Sequence, residues 1–443
     1  MNLKSNGLIL VFLLFFAGSV SAQSLSEQLN NVFTEVLELE LVGSPGQHGN
    51  HFRVANNASS AATINSFSNF ITANISSFPL SSTTAGVTFD FSEGVPKKTT
   101  TSLGPLFTER AQTIGRNRIN MGFNFSYFNL AKVRGVSTED IRFSFTHQDV
   151  NNSGILGDVP AEVDNIDLFM NLDVNATILA FLMTYGVTNR LDVGVAVPYV
   201  SVQMKSDPRA EMISITGAIA GQNGTLNPLH HWGSASLPEL TLNPTPIDDD
   251  ATGIGDVAFR AKYNFVRDAA MDFSGLVEYR LASGDEENFL GVGDPSVKVQ
   301  LIGSAIKGNF APHINIAYEY RGSDLDRNEI ELFVGYDQKI SDQFTLAVDF
   351  LGEFEIGDQI DELAFPDAQE IRVDIGDPTN FWVREISPTN IPNRESDNIL
   401  NASVGFKFSP KDNMVMLANT FVPLNDGGLR SDFVSTFGFE FSF

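Results

Sequence analysis

The chain has no cysteine, two tryptophans among 443 residues, and only 28 lysines and arginines against 54 aspartates and glutamates. The missing cysteine excludes a lipoprotein anchor, disulfides, thiol catalysis and cysteine metal sites together. A net charge of -26 argues against a nucleic-acid partner, which needs a basic surface. After the first two dozen residues no stretch approaches the roughly 20 apolar residues of a membrane-spanning helix. No HExxH spacing, EF-hand spacing or G-x-S-x-G elbow is present, so neither a metal nor a catalytic residue is assigned, and no cofactor is expected.

What is abundant is phenylalanine, 37 residues. Phe433, Phe437, Phe439, Phe441 and Phe443 share odd positions in the last stretch, with Val434, Thr436, Gly438, Glu440 and Ser442 between them. A period of two puts the aromatics on one face of a strand and mostly polar or small residues on the other. Such a strand fits lipid only in a barrel that leaves no unpaired edge. At the other end, Lys4, the apolar residues 8–17 and Val20-Ser21-Ala22 read as a secretory signal over 1–22. The expected localisation is therefore the outer membrane of a Gram-negative bacterium. Barrel-assembly machinery would act on the strand ending at Phe443, and membrane lipids and lipopolysaccharide would be further partners.

Six short connections with turn formers separate alternating runs: 115–117, 188–190, 267–270, 308–309, 341–343 and 409–412. They read as periplasmic turns. The longer, more acidic connections 131–165, 206–252, 284–294, 323–327, 358–395 and 423–430 read as outer loops. Twelve strands follow, the second of them over 166–187. A hairpin at 84–92 and 99–114 brings the total to about fourteen, an even number, with both ends of the barrel periplasmic. The predicted fold is all-β, a transmembrane antiparallel barrel of about 14 strands over 84–443.

Residues 23–83 are expected to form an N-terminal helix and plug. Ser24 and Glu27 make a capping box, and Leu25, Leu29, Val32, Phe33, Val36 and Leu37 recur at helical spacing. Parity points Arg260, Lys262, Glu278, Arg280, Lys298, Glu319, Arg321 and Glu331 into the lumen, because an outward cation at mid-membrane costs roughly 2–4 kcal/mol. The parity that turns Asp173, Asn175 and Thr177 inward also turns Leu179, Phe181 and Met183 inward, a candidate hydrophobic pocket. The His48/His51 pair reads as incidental. His230-His231-Trp232 reads as exposed loop tip, and the acidic loops as solvated or bridged by divalent ions to outer-leaflet phosphates.

Three stretches then become familiar. TYGVTNRLDVGVAVPYV (184–200), the segment 253–304 and SLGPLFTERAQTIGRNRINMGFNF (102–125) resemble the family of outer-membrane transporters linked to the meta-pathway of phenol degradation. More widely, the chain resembles outer-membrane transporters of long-chain fatty acids and aromatic hydrocarbons. The resemblance implies a non-enzymatic channel for passive uptake of small hydrophobic compounds, with no catalytic residue to transfer. The N-terminal segment lacks an Asn-Pro-Ala motif, so no hatch residue is carried over. A general diffusion porin, or a structural or adhesive barrel with binding outer loops, are the other readings. A monomer is expected.

Overall fold

The computed structural model describes residues 23–39, 50–76, 89–90, 97–98, 103–104, 106–216, 228–267, 271–322, 327–357, 364–374, 381–411 and 413–443. The signal segment 1–22 and His48 lie outside them. Twelve antiparallel strands close into a barrel: β1 (Ile119–Leu130), β2 (Leu172–Gly186), β3 (Leu191–Ser206), β4 (Ala258–Arg267), β5 (Met271–Arg280), β6 (Ser296–Ala305), β7 (Phe310–Arg321), β8 (Asn328–Lys339), β9 (Phe344–Ile356), β10 (Ile399–Lys411), β11 (Met414–Pro423) and β12 (Val434–Ser442). Each pairs with its sequence neighbour, and β12 closes on β1 through a register running from Val434 opposite Phe128 to Ser442 opposite Asn120. An additional strand, Ile247–Ile254, lies outside the ring and pairs with the upper half of β3, beyond the part bonded to β4.

The expectation of about fourteen strands is corrected to twelve. Residues Phe89–Asp90 and Lys97–Lys98 form a separate two-stranded ladder, and 106–114 carry no strand. The alternation of 166–187 was also two elements. Asn165–Met170 belongs to a four-stranded sheet beyond the wall, with Ile141–Thr146, Arg209–Ile213 and Thr241–Leu242, and β2 starts only at Leu172.

Outward faces carry the apolar residues and inward faces the polar ones. On β4, Phe259, Tyr263 and Phe265 are exposed, while Lys262 and Asn264 are buried. On β6 and β7, Val299, Leu301, Ile314, Ile316 and Tyr318 are exposed. On β12, Phe437 and Phe439 point out, and Thr436 and Glu440 are fully buried. An outer face this apolar around a closed ring is a lipid-facing band, with every backbone group paired to a neighbouring strand.

Two helices cap the end that bears the long loops. Helix α1 (Leu25–Leu37) starts at Ser24, whose hydroxyl accepts from the Glu27 amide at 3.1 Å. All six residues of its apolar face are buried. Helix α2 (Ala58–Ser76) starts where the Asn57 side-chain Oδ1 accepts from the amides of Ser59 and Ser60. Phe33 of α1 meets Phe67 of α2, and Phe143 and Phe145 of the outer sheet, edge to face at 5.4–6.3 Å. This aromatic knot holds both helices beneath the sheet. The Leu25 amide donates to Asn288, Gln28 donates to Asp249, and Trp232 donates to the Val36 carbonyl. Leu25 therefore sits at the long-loop end. Phe443 is bonded to Ile119, so the ring of strands begins and ends at the short-turn end, as expected.

Candidate functional site: the strapped lumen

Residues 103–104 and 106–116 form a strap along the inside of the barrel, near its short-turn end. An extended backbone outside a ladder leaves every amide without a partner unless side chains supply one. The wall supplies them strand by strand. On β9, Thr345 accepts from Leu103, and Asp349 accepts from the amides of Leu106 (3.4 Å) and Phe107 (3.2 Å) and from the Thr108 hydroxyl (3.1 Å). On β8, Asp337 pairs with Arg110. On β7, Asn315 accepts from the Glu109 amide at 2.6 Å and donates to its carbonyl at 3.0 Å. Ser304 of β6 accepts from Ala111, and Asp272 of β5 accepts from Gln112. Asp192 of β3 accepts from Ile114 at 2.9 Å. Sequence reasoning placed this segment in a hairpin. The available signal was the cluster of single inward polar residues on successive strands, which has no use in a wall that only faces water.

Above the strap, the inward charges form a lattice. Arg260 bonds Glu278 at 2.5 Å, and Arg280 bonds it at 3.3 Å. Lys298 sits between Glu319 (3.2 Å) and Glu331 (2.5 Å), and Arg321 holds Glu329 at 2.7 Å. The strand register puts Glu278, Lys298 and Glu319 side by side across β5, β6 and β7, which makes the pairing possible. Glu109 of the strap enters the same lattice, 3.2 Å from Lys262 and 3.7 Å from Arg260. All eight lumen candidates lie on the inner face, in two ion-paired clusters set side by side by the register. The carboxylates of Glu319, Glu329 and Glu331 are close enough to hold a metal ion, and each already pairs with Lys298 or Arg321. Between strap and lattice is a cavity lined by Phe107, Leu276, Phe333, Leu351, Arg280 and Lys298, apolar on one side and charged on the other.

The other three candidates are corrected. Leu179 is 40% exposed and faces outward, as do Phe181, whose ring meets outward Phe123 at 5.2 Å, and Met183. Asp173 and Asn175 share that outward face, but at the outer rim, where they bond Asn129 and the Tyr127 hydroxyl. Polar residues at a rim do not mark the lumen side, and that misled the parity. The true inner face of β2 is Val174, Ala176, Ile178, Ala180 and Leu182. Beside it lie Ala196, Val200 and Val202 of β3, all in one buried core with α1 and α2. One side of the lumen is therefore apolar, and the other is the charged lattice.

The cap contains a histidine cluster. His147 Nδ1–H donates to the Gln148 carbonyl at 2.6 Å, so its Nε2 accepts from His51 Nδ1–H at 2.9 Å. The His230 ring is 4.9 Å from that of His147, and His230 Nδ1 bonds Asp164 at 2.9 Å. His230, His231 and Trp232 are all buried, which corrects their reading as an exposed tip; the pairing of His51 with His48 lies outside the described residues. Burial, and then the neighbouring His230, push the His147 pKa down to about 3.

No protein-family model matches the chain, and no curated protein matches it. Among solved structures the chain is similar to an outer membrane channel from Pseudomonas putida, at 11% identity and a TM-score of 0.41, over 76% of this chain and 99% of that one. It is also similar to a FadL homologue from Pseudomonas aeruginosa, at 11% identity, TM-score 0.32, over 74% and 89% of the two chains. A third is the CymD monoaromatic hydrocarbon channel, at 13% identity, TM-score 0.28, over 74% and 89%. At identities and scores this low, what those proteins conduct says nothing about this chain. The barrel is established by its own strand register.

Two outcomes follow from this geometry. Asp349→Ala removes the acceptor for three strap donors, each costing about 1–3 kcal/mol when left unsatisfied. Planar-bilayer recordings should then show a larger and noisier conductance than the wild-type chain, and Arg110→Ala should move it the same way. For the cap, a folded pKa below the free value near 6.5 means that docking excludes a proton. Docking is unaffected above about pH 6.5 and weakens progressively as pH falls toward about 3. Trp232 fluorescence should shift to the red between pH 6.5 and 5, and His147→Gln should flatten that dependence.

Proposed function

We propose that this chain is an outer-membrane channel for the passive uptake of small hydrophobic compounds, aromatic or fatty-acid-like. In this reading α1, α2 and the strap together plug the lumen. The observation that carries it is the apolar inner face of β2 and β3, buried against the helices. A diffusion porin for polar solutes has no use for an apolar wall on one side of its lumen. A hydrophobic solute does, because transfer from water gains roughly 25 cal/mol per Å² of apolar surface buried. The charged lattice opposite grips the strap through Glu109, so displacing the strap requires breaking that contact and the Asp349 cluster. No chemical energy source is involved. The outward aromatic face contacts membrane lipids, with lipopolysaccharide around the outer rim, and β12 is the surface for barrel-assembly machinery. The sequence resemblance makes compounds of aromatic degradation the first substrates to try. The chain acts as a monomer, without cofactor or catalytic residue.

Liposome swelling with sugars and uptake of a radiolabelled aromatic hydrocarbon, run side by side, test this. The expected result is negligible sugar flux with protein-dependent hydrocarbon uptake. Rapid sugar entry with no hydrocarbon uptake would establish the porin reading instead.

A further inference from the structure

The inner wall formed by β10, β11, β12 and β1 presents neutral polar groups, two of which, Asn419 and Ser403, have no partner among the described residues. Strand register aligns Gly405 of β10, Asn419 of β11, Thr436 of β12 and Ser126 of β1 in one inward row, with Ser403 opposite Phe421 one row above. The hydroxyls of Ser126 and Thr436 satisfy each other at 2.8 Å. Asn419 has no such arrangement. It is 7% exposed, and neither its Oδ1 nor its Nδ2 has a partner among the described residues. Ser403 is also buried, and its Oγ is likewise unbonded.

A buried amide that uses neither its donor nor its acceptor is unfavourable until something bonds to it, so its presence on a lumen wall asks for an occupant. The surroundings specify that occupant. Gly405 beside the amide brings no side chain into the row. It has to be glycine, because a Cβ there would stand 2.4 Å from that of Asn419. Above the row, the Phe421 ring and the Phe107 ring of the strap meet edge to face at 5.3 Å, an apolar border contributed half by the wall and half by the strap. Of the buried charges nearby, Lys407 and Glu440 pair with each other at 3.3 Å, and Asp349, opposite Ser403 in the register, is taken up by the strap. An apolar surround with one or two converging polar groups is the ordinary make-up of a small-molecule site.

We propose that Asn419 and Ser403 form a ligand subsite inside the barrel. It takes an uncharged molecule with an apolar ring or chain and one hydroxyl-like group that both donates and accepts. The Asn419 amide meets that group, Ser403 supplies a second bond, and Phe107 and Phe421 cover the apolar part. The subsite rests on the channel reading above and narrows it, selecting singly hydroxylated hydrophobic compounds over bare hydrocarbons.

Benzyl alcohol and toluene are the probes, matched in ring and differing in the hydroxyl, with binding to the full chain in nanodiscs measured by ligand-observed NMR titration. The wild-type protein should bind benzyl alcohol at least about tenfold tighter than toluene, as a site built to bond a hydroxyl does. Asn419→Leu should bring the ratio near one, and Ser403→Ala should lower it part way. Heat-modifiable gel mobility reports whether each variant is a folded barrel, and Ser403→Ala alone carries the test if the leucine variant is not. A wild-type ratio near one, or a ratio that folded variants leave unchanged, would overturn the subsite and leave buried water as the amide's partner. If neither probe binds while hydrocarbon uptake persists, the subsite fails and the channel stands. If uptake is absent as well, both fail.

Discussion

An extended chain crossing a barrel interior carries a donor and an acceptor at nearly every residue, and no neighbouring strand to bond them. Here that demand is met by Asp349, Asn315, Ser304 and Asp192, each spent on strap backbone. These wall residues are buried because the strap lies on them, and the strap is ordered because they are there. Removing either partner leaves the other unsatisfied in a dry interior, so the two halves of the arrangement hold each other in place.

The lumen that results is divided by chemistry. On β4 to β8 the charges are paired into a lattice that Glu109 joins from the strap. On β2 and β3 the wall is aliphatic and continuous with the helical cap. A solute that sheds water gains on the second side and is not needed by the first. The lattice is best understood as the fixture that holds the strap, and the aliphatic side as the surface a hydrophobic solute would follow once the strap yields. At the outer end, the aromatic knot around Phe33 and the histidine cluster hold the cap by packing and neutral hydrogen bonds, which is why acid should loosen it.

Much of the wall was legible in the sequence, because lipid on one side and trapped charge on the other leave little freedom. Phe259, Tyr263 and Phe265 alternate with Lys262 and Asn264 in a way only one orientation can satisfy. Helix α1 was legible for a similar reason, its cap at Ser24 and its apolar spacing agreeing. What failed was each place where a local pattern was ambiguous. On β2 both parities are apolar between 178 and 183, and the polar residues used to decide were at the rim. The strap alternates like a strand, but its partners are single side chains spread from Asp192 to Asp349, invisible to any local period. Helix α2 hid in a Ser- and Asn-rich stretch whose apolar spacing, Ile64, Phe67, Phe70 and Ile71, shows only beside Phe33 and Phe143.

The most direct measurement uses the absence of native cysteine. Ala111 of the strap donates its amide to Ser304 of β6, so cysteines placed at these two positions face each other across the lumen contact. In intact outer membranes, Ala111→Cys with Ser304→Cys should form a disulfide under mild oxidation, and Ala111→Cys paired with a cysteine at outward Val299 should not. A strap lying inside the wall predicts the first bond and a conductance that falls when it forms. No bond at the first pair in a folded barrel, or equal bonding at both, would contradict it.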